Sequence, residues 1–146
     1  MKFMFISIVA GLCLLACRDS DRSQDDKAET DINAARYFIQ YSLKRDYEKA
    51  RTYMLPDTPN INRMAAIERI HLSPEEAKGL SGASINIHKV NRLNDSTTII
   101  SYSNSYMNNH DTLRVKKVEG KWLVDFNYIW DHDQDSTASI KADTLR

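Results

Sequence analysis

From Lys121 to Trp130 the chain has its clearest alternation: Trp122, Val124, Phe126, Tyr128 and Trp130 fall at every second position. A period of two puts all five on one face of a strand. Such a row has to be covered, and the reading is that it faces helices and supplies most of the core. Burying one ring of this kind is worth about 1.5–3 kcal/mol. An exposed carbohydrate- or lipid-binding platform is the sharper reading of the same stripe.

The elements before that row come in two blocks. Ile32, Ala35, Ile39 and Leu43 have helical spacing and predict a helix over 31–44, capped by Thr30 or Asp31. Asp46 caps a shorter helix carrying Tyr47, Ala50, Tyr53 and Met54, which Pro56 ends. Residues 56–60 (PDTPN) read as a loop, because each proline restricts the residue before it. A third helix is expected over 61–70, with Ile61, Met64, Ala65 and Ile67 apolar. Ser73-Pro74-Glu75-Glu76 is a capping box with proline at the first helical position, and Gly79 is expected to end that helix.

Strands follow. One is expected over 83–93, with Ile85 and Ile87 on one face and Val90 out of phase, which implies a bulge near His88. After a turn at Asn94-Asp95-Ser96, a second strand over 97–106 sets Ile100, Tyr102 and Tyr106 against Ser101, Ser103 and Ser105. A third over 112–118 points Leu113 and Val115 inward, and Glu119-Gly120 makes a tight hairpin into the fourth. Helices first and strands afterwards give an α+β fold: amino-terminal helices on an antiparallel sheet of about four strands. The 101 residues from Thr30 to Trp130 suffice for one domain.

The amino end carries a different message. An apolar run from Phe3 to Leu15 follows Lys2 and closes on Leu14-Leu15-Ala16-Cys17. This reads as a lipoprotein signal over 1–16, cleaved before Cys17, which would then carry acyl chains. The run makes roughly 20 Å of helix against the ~30 Å of a bilayer core, too short to span it. Two or more chains on Cys17 would give lasting attachment. Residues 18–29 (RDSDRSQDDKAE) hold no aliphatic larger than alanine and are expected to be a solvated tether. Acidic residues soon after the cysteine resemble sorting signals that send lipoproteins outward in some Gram-negative bacteria, so the outer membrane is favoured over the inner. A plain solubilising spacer has the same composition. With Cys13 removed and Cys17 acylated, the folded part has no disulfide to rely on.

Charge excludes one class of partner. Twenty basic residues balance twenty acidic ones, and no basic stripe stands out, so nucleic acid is not expected. Arg114, Lys116 and Lys117 are the densest basic cluster and read as the solvent face of a strand.

Catalytic and metal chemistry find little footing. No acid–base pair follows from spacing. Asp125 and Asn127 alternate with the aromatic row and should point away from the core. His71, His88, His110 and His132 lack ligand spacing. Residues 131–135 (DHDQD) begin like a calcium loop, but Ser136 and Ala142 stand where glycine and glutamate are needed. No cofactor is implied. The polar tail over 131–146 is expected to be disordered. Asp135-Ser136-Thr137 and Asp143-Thr144-Leu145 match a degenerate O-glycosylation acceptor, as do Asp95-Ser96-Thr97 and Asp111-Thr112-Leu113.

Two segments carry a family resemblance. Arg45-Asp46-Tyr47-Glu48-Lys49-Ala50 resembles a helix start common in nuclear-transport-factor-like domains, and Val118-Glu119-Gly120-Lys121-Trp122-Leu123-Val124 resembles their closing hairpin. With the signal in front, the whole is similar to small bacterial lipoproteins carrying such a domain of unknown function. The resemblance implies a curved sheet wrapped around an amino-terminal helix, a cone with a pocket. Members include enzymes, ligand binders and scaffolds, so the likeness does not choose among them. For an enzyme the resemblance implies an Asp, Tyr or His inside the pocket, and the candidates here are Tyr102, Asp125, Tyr41 and His88. The expectation is a membrane-anchored, non-catalytic module binding an envelope protein or a small apolar ligand. Its pocket or core residues would be Ile85, Ile87, Ile100, Tyr102, Trp122, Phe126 and Tyr128. A small isomerase- or hydrolase-like enzyme in the same pocket and an immunity or inhibitor lipoprotein are the competing readings.

Overall fold

The structure, a computed structural model, describes residues 28–129. The signal, Cys17, most of the tether, Trp130 and the tail lie outside the described residues. Four helices precede four strands: α1 (Asp31–Leu43), α2 (Tyr47–Thr52), α3 (Thr58–Glu68), α4 (Pro74–Ser81), β1 (Ile85–Asn94), β2 (Thr97–Asn104), β3 (His110–Val118) and β4 (Lys121–Asp125). The strands form one antiparallel sheet in the order β1-β2-β3-β4, so the α+β class stands. No described helix is long and apolar enough to cross a membrane.

Local chemistry explains most boundaries. The Thr30 hydroxyl accepts from the Asn33 amide at 3.1 Å and starts α1, and Asp46 does the same for α2. The capping box of α4 closes in both directions, Glu76 N to Ser73 Oγ and Ser73 N to Glu76. At the β3–β4 turn Glu119 (φ 50°) and Gly120 (φ 80°) are both left-handed, as a two-residue hairpin with the twist of its strands requires. The pairing of β1 with β2 slips between Ile87 and Lys89, which is the bulge expected at His88.

Four expectations are corrected. Helix α3 begins at Thr58 and not at Ile61, because Asp57 accepts from the Asn60 amide at 2.9 Å and Pro59 sits in the first turn, where no donor is needed. Gly79 lies inside α4, which is capped at Gly82. Its missing side chain makes room for Tyr106, whose ring occupies the space a Cβ would take. Strand β2 accordingly stops at Asn104, and Tyr106 belongs to the turn beyond it.

The fourth correction concerns the aromatic row. Strand β4 ends at Asp125, five residues early. On its free edge Val124 pairs with the segment after α2: its amide donates to the Tyr53 carbonyl at 2.7 Å, and its carbonyl accepts from Leu55 at 2.9 Å. Three residues after Val124 the Asn127 amide donates to the Asn60 side chain at 2.9 Å. That bond marks the chain's departure from the sheet. Phe126 remains buried, while Tyr128 stands half-buried beneath the Arg114 guanidinium, 4.7 Å from its ring centre.

Helix α1 lies across the sheet. Ala34 and Ala35 are fully buried, and with no larger side chain in the way the helix backbone approaches closely. Around them Phe38, Ile39, Met54, Met64, Ile100, Leu113, Val115 and Val124 form the core. Phe38 meets Phe126 with ring centres 5.1 Å apart.

Candidate functional site

Beyond Phe38 the core opens. A cavity of about 260 Å³ lies between the last turns of α1, the α3–α4 connection and the end of the sheet nearest the β2–β3 turn. Its apolar walls are Phe38, Ile39 and Leu43 of α1, Ile67, Ile70, Leu72 and Leu80 opposite, and Phe126 at the base. Ile70 and Met107 stand exposed at its mouth.

The rim is built by hydrogen bonds. Arg45 leaves α1 in the left-handed conformation (φ 59°), which costs an L-residue roughly 1–2 kcal/mol. Its guanidinium then reaches the carbonyl of Ile70 with both terminal nitrogens, at 3.1 and 3.0 Å, and ties the end of α1 to the end of α3. On the sheet side, buried Asn104 accepts from the amides of Tyr106 and Met107 at 3.1 and 2.9 Å and shapes the turn that holds Met107.

Four further polar side chains line the cavity: Ser42, Tyr47, Tyr102 and Asp111. Tyr102 is buried, and burial together with the neighbouring Asp111 carboxylate pushes its phenol well above the usual range, so it stays neutral. Asp111 is its cross-strand partner in β3. Ser42, in the last turn of α1, has a buried hydroxyl with no hydrogen-bond partner.

Of the residues expected at a pocket, the structure brings Tyr102 and Phe126 to this cavity. Ile100 is wholly inside the core, and Ile87 packs on its edge. Ile85 lines a separate hollow beside α1, and Trp122 another beside Asp31 and Arg92. Sequence reading passed over Ser42, Arg45, Asn104 and Asp111. Ser42 carried a signal: it follows Phe38 by four residues and Ile39 by three, which is the same helix face.

The other candidate chemical residues lie elsewhere. Tyr41 stacks on Tyr53 with ring centres 5.9 Å apart. His88, at the bulge, meets the Ser103 hydroxyl at 2.8 Å and stacks on His110 at 4.3 Å, and Ser103, on the face opposite Ile100 and Tyr102, is buried there. Asp125 does alternate away from Val124, yet it is buried. Arg114 donates to it at 2.6 Å, Lys116 stands 3.1 Å away and Asn60 donates at 3.3 Å. Arg114 and Lys116 are therefore half-buried partners of Asp125, not a solvated face. Burial alone would raise the Asp125 carboxyl, but the bonds from Arg114 and Lys116 outweigh it and lower the pKa. Asp31 repeats the pattern, accepting from Thr98 at 2.7 Å and from Arg92 at 3.0 Å. Among the described residues no group of three or more metal-ligating side chains forms.

Comparison of the chain with models of known families, with curated proteins and with solved structures found no match.

Proposed function

We propose that this chain is a membrane-tethered, non-catalytic binding module that takes a small apolar ligand in the cavity at the end of α1. The observation that carries the reading is the cavity itself: apolar walls, an open mouth with Ile70 and Met107 exposed, and a few convergent polar groups. At about 260 Å³ it holds roughly nine water-sized groups of about 30 Å³ each, which bounds the ligand. In the nuclear-transport-factor-like reading this is the interior of the cone. The lipoprotein signal read at Leu14-Leu15-Ala16-Cys17 supports the tether, in the envelope of a Gram-negative bacterium and more readily at its outer membrane.

Native mass spectrometry of the protein extracted from membranes tests both halves. The expected product begins at an acylated Cys17 and carries a non-covalent apolar mass that a cavity-filling Leu80→Trp variant loses. A mature chain that keeps Met1 would refute the tether. An apolar mass indifferent to Leu80→Trp would refute the cavity as its seat.

A further inference from the structure

At the start of α1, away from the apolar cavity, a second hollow of about 450 Å³ lies between residues 29–31 and the β1–β2 turn. Trp122 forms one of its walls, half-buried and packed on the core from β4. The other side chains around the hollow are polar, and several have hydrogen-bonding positions the fold does not use. Arg92 donates to Asp31 through Nε and Nη2, at 3.0 and 3.2 Å, and its Nη1 has no partner among the described residues. Asn94 accepts from the Ser96 amide at 2.9 Å with its side-chain oxygen, while its side-chain nitrogen bonds to no described residue. The carboxylates of Glu29 and Asp95 are exposed and make no hydrogen bond or ion pair among the described residues.

An occupant must therefore offer an apolar face to the ring, and donors and acceptors together around its edge. Charge removes the ionic classes. An anion would be held against Glu29 and Asp95. An organic cation would find the ring already shared with the Lys117 ammonium, 5.6 Å from its centre, and Arg92 alongside. A nucleobase can stack, but it has too few N–H donors to serve two carboxylates. A pyranose ring meets every condition: C–H bonds cover its face, and each hydroxyl on its edge both donates and accepts. The hollow holds roughly fifteen water-sized groups of about 30 Å³, room for the twelve or so non-hydrogen atoms of one hexose.

We propose that this hollow binds one hexopyranose unit, free or at the end of a glycan, with its C–H face on Trp122 and its hydroxyls shared among Glu29, Asp95, Arg92 and Asn94. The apolar cavity takes no part, so failure here leaves that reading standing. The test titrates methyl glycosides of glucose, galactose, mannose and N-acetylglucosamine into the full chain, with choline and adenosine for comparison. The Trp122 indole and the Asn94 and Asp95 amide resonances are followed by NMR. At least one glycoside should give a saturable shift with a millimolar Kd, about tenfold tighter than choline or adenosine. A trisaccharide ending in that hexose separates the sources: tighter binding assigns the site to glycan ends, equal or weaker binding to the free sugar. Asp95→Ala breaks no bond among the described residues and should weaken the glycoside about fivefold or more. Trp122→Leu keeps an apolar side chain against the core and should abolish the amide shifts. No shift with any glycoside, choline or adenosine binding as tightly, or an affinity unchanged in either variant overturns the proposal.

Discussion

Buried polar groups occur in two regions of this molecule, and they are treated in opposite ways. At Asp31 and Asp125 the carboxylate oxygens are occupied: Thr98, Arg92 and the Ile32 amide surround the first, and Arg114, Lys116 and Asn60 the second. Each cluster ties a helix start to the sheet, α1 through Asp31 and α3 through Asn60. At Ser42 an equally buried oxygen has nothing. Saturated clusters hold the fold together, whereas a sealed hydroxyl without a partner contributes no bond to it. That contrast does not follow residue type, since by type alone the two aspartates look the more chemical, yet they are the groups bound into the architecture.

The strongest break of the contrast is Asp125→Ala. It strips Arg114 and Lys116 of their shared anion and Asn60 of a partner, and should cost about 2–4 kcal/mol, read as a lower urea midpoint with unchanged slope. Acid is the milder form of the same break. Both aspartates have native pKa values below the ordinary carboxylate value of about 4. Below that value the unfolded chain takes up protons that the folded chain refuses, so stability rises with pH in that window. It should be level above about pH 5 and fall as pH drops through about 4 toward the native values. A combined Asp31→Asn, Asp125→Asn variant should flatten this acid limb, and an unchanged limb would move the explanation to other carboxylates. Thr98→Val removes one bond to a buried carboxylate and should cost about 1–2 kcal/mol by the same urea measurement. Ser42→Ala, on the opposite side of the comparison, should cost nothing and gain up to about 1 kcal/mol, because alanine suits the helix and no bond is lost. A loss above about 1 kcal/mol there would mean that the hydroxyl has a structural partner after all.

How far these features were legible varies with their range. Caps, the bulge at His88 and the Glu119-Gly120 hairpin are local, and each depends on a few neighbouring residues whose types announce it. The cavity was legible at Tyr102 and Phe126, which lie on correctly phased faces. It was not legible at Arg45, whose role depends on reaching Ile70, 25 positions away. The early end of β4 was hidden for the same reason: alternation continues through Tyr128, but the bonds made by Asn60 and by residues 53–55 come from another part of the chain.

The sequence by itself determined the order of elements, the caps of α1, α2 and α4, the hairpin turn and the α+β class, because periodicity and capping act over one or two turns of backbone. Only the tertiary structure decided which polar side chains are bound to others and which is left alone, where the last strand stops, and which apolar residues border empty space and not neighbours. Those outcomes depend on distances between segments that are far apart in the chain, and such distances are set by packing.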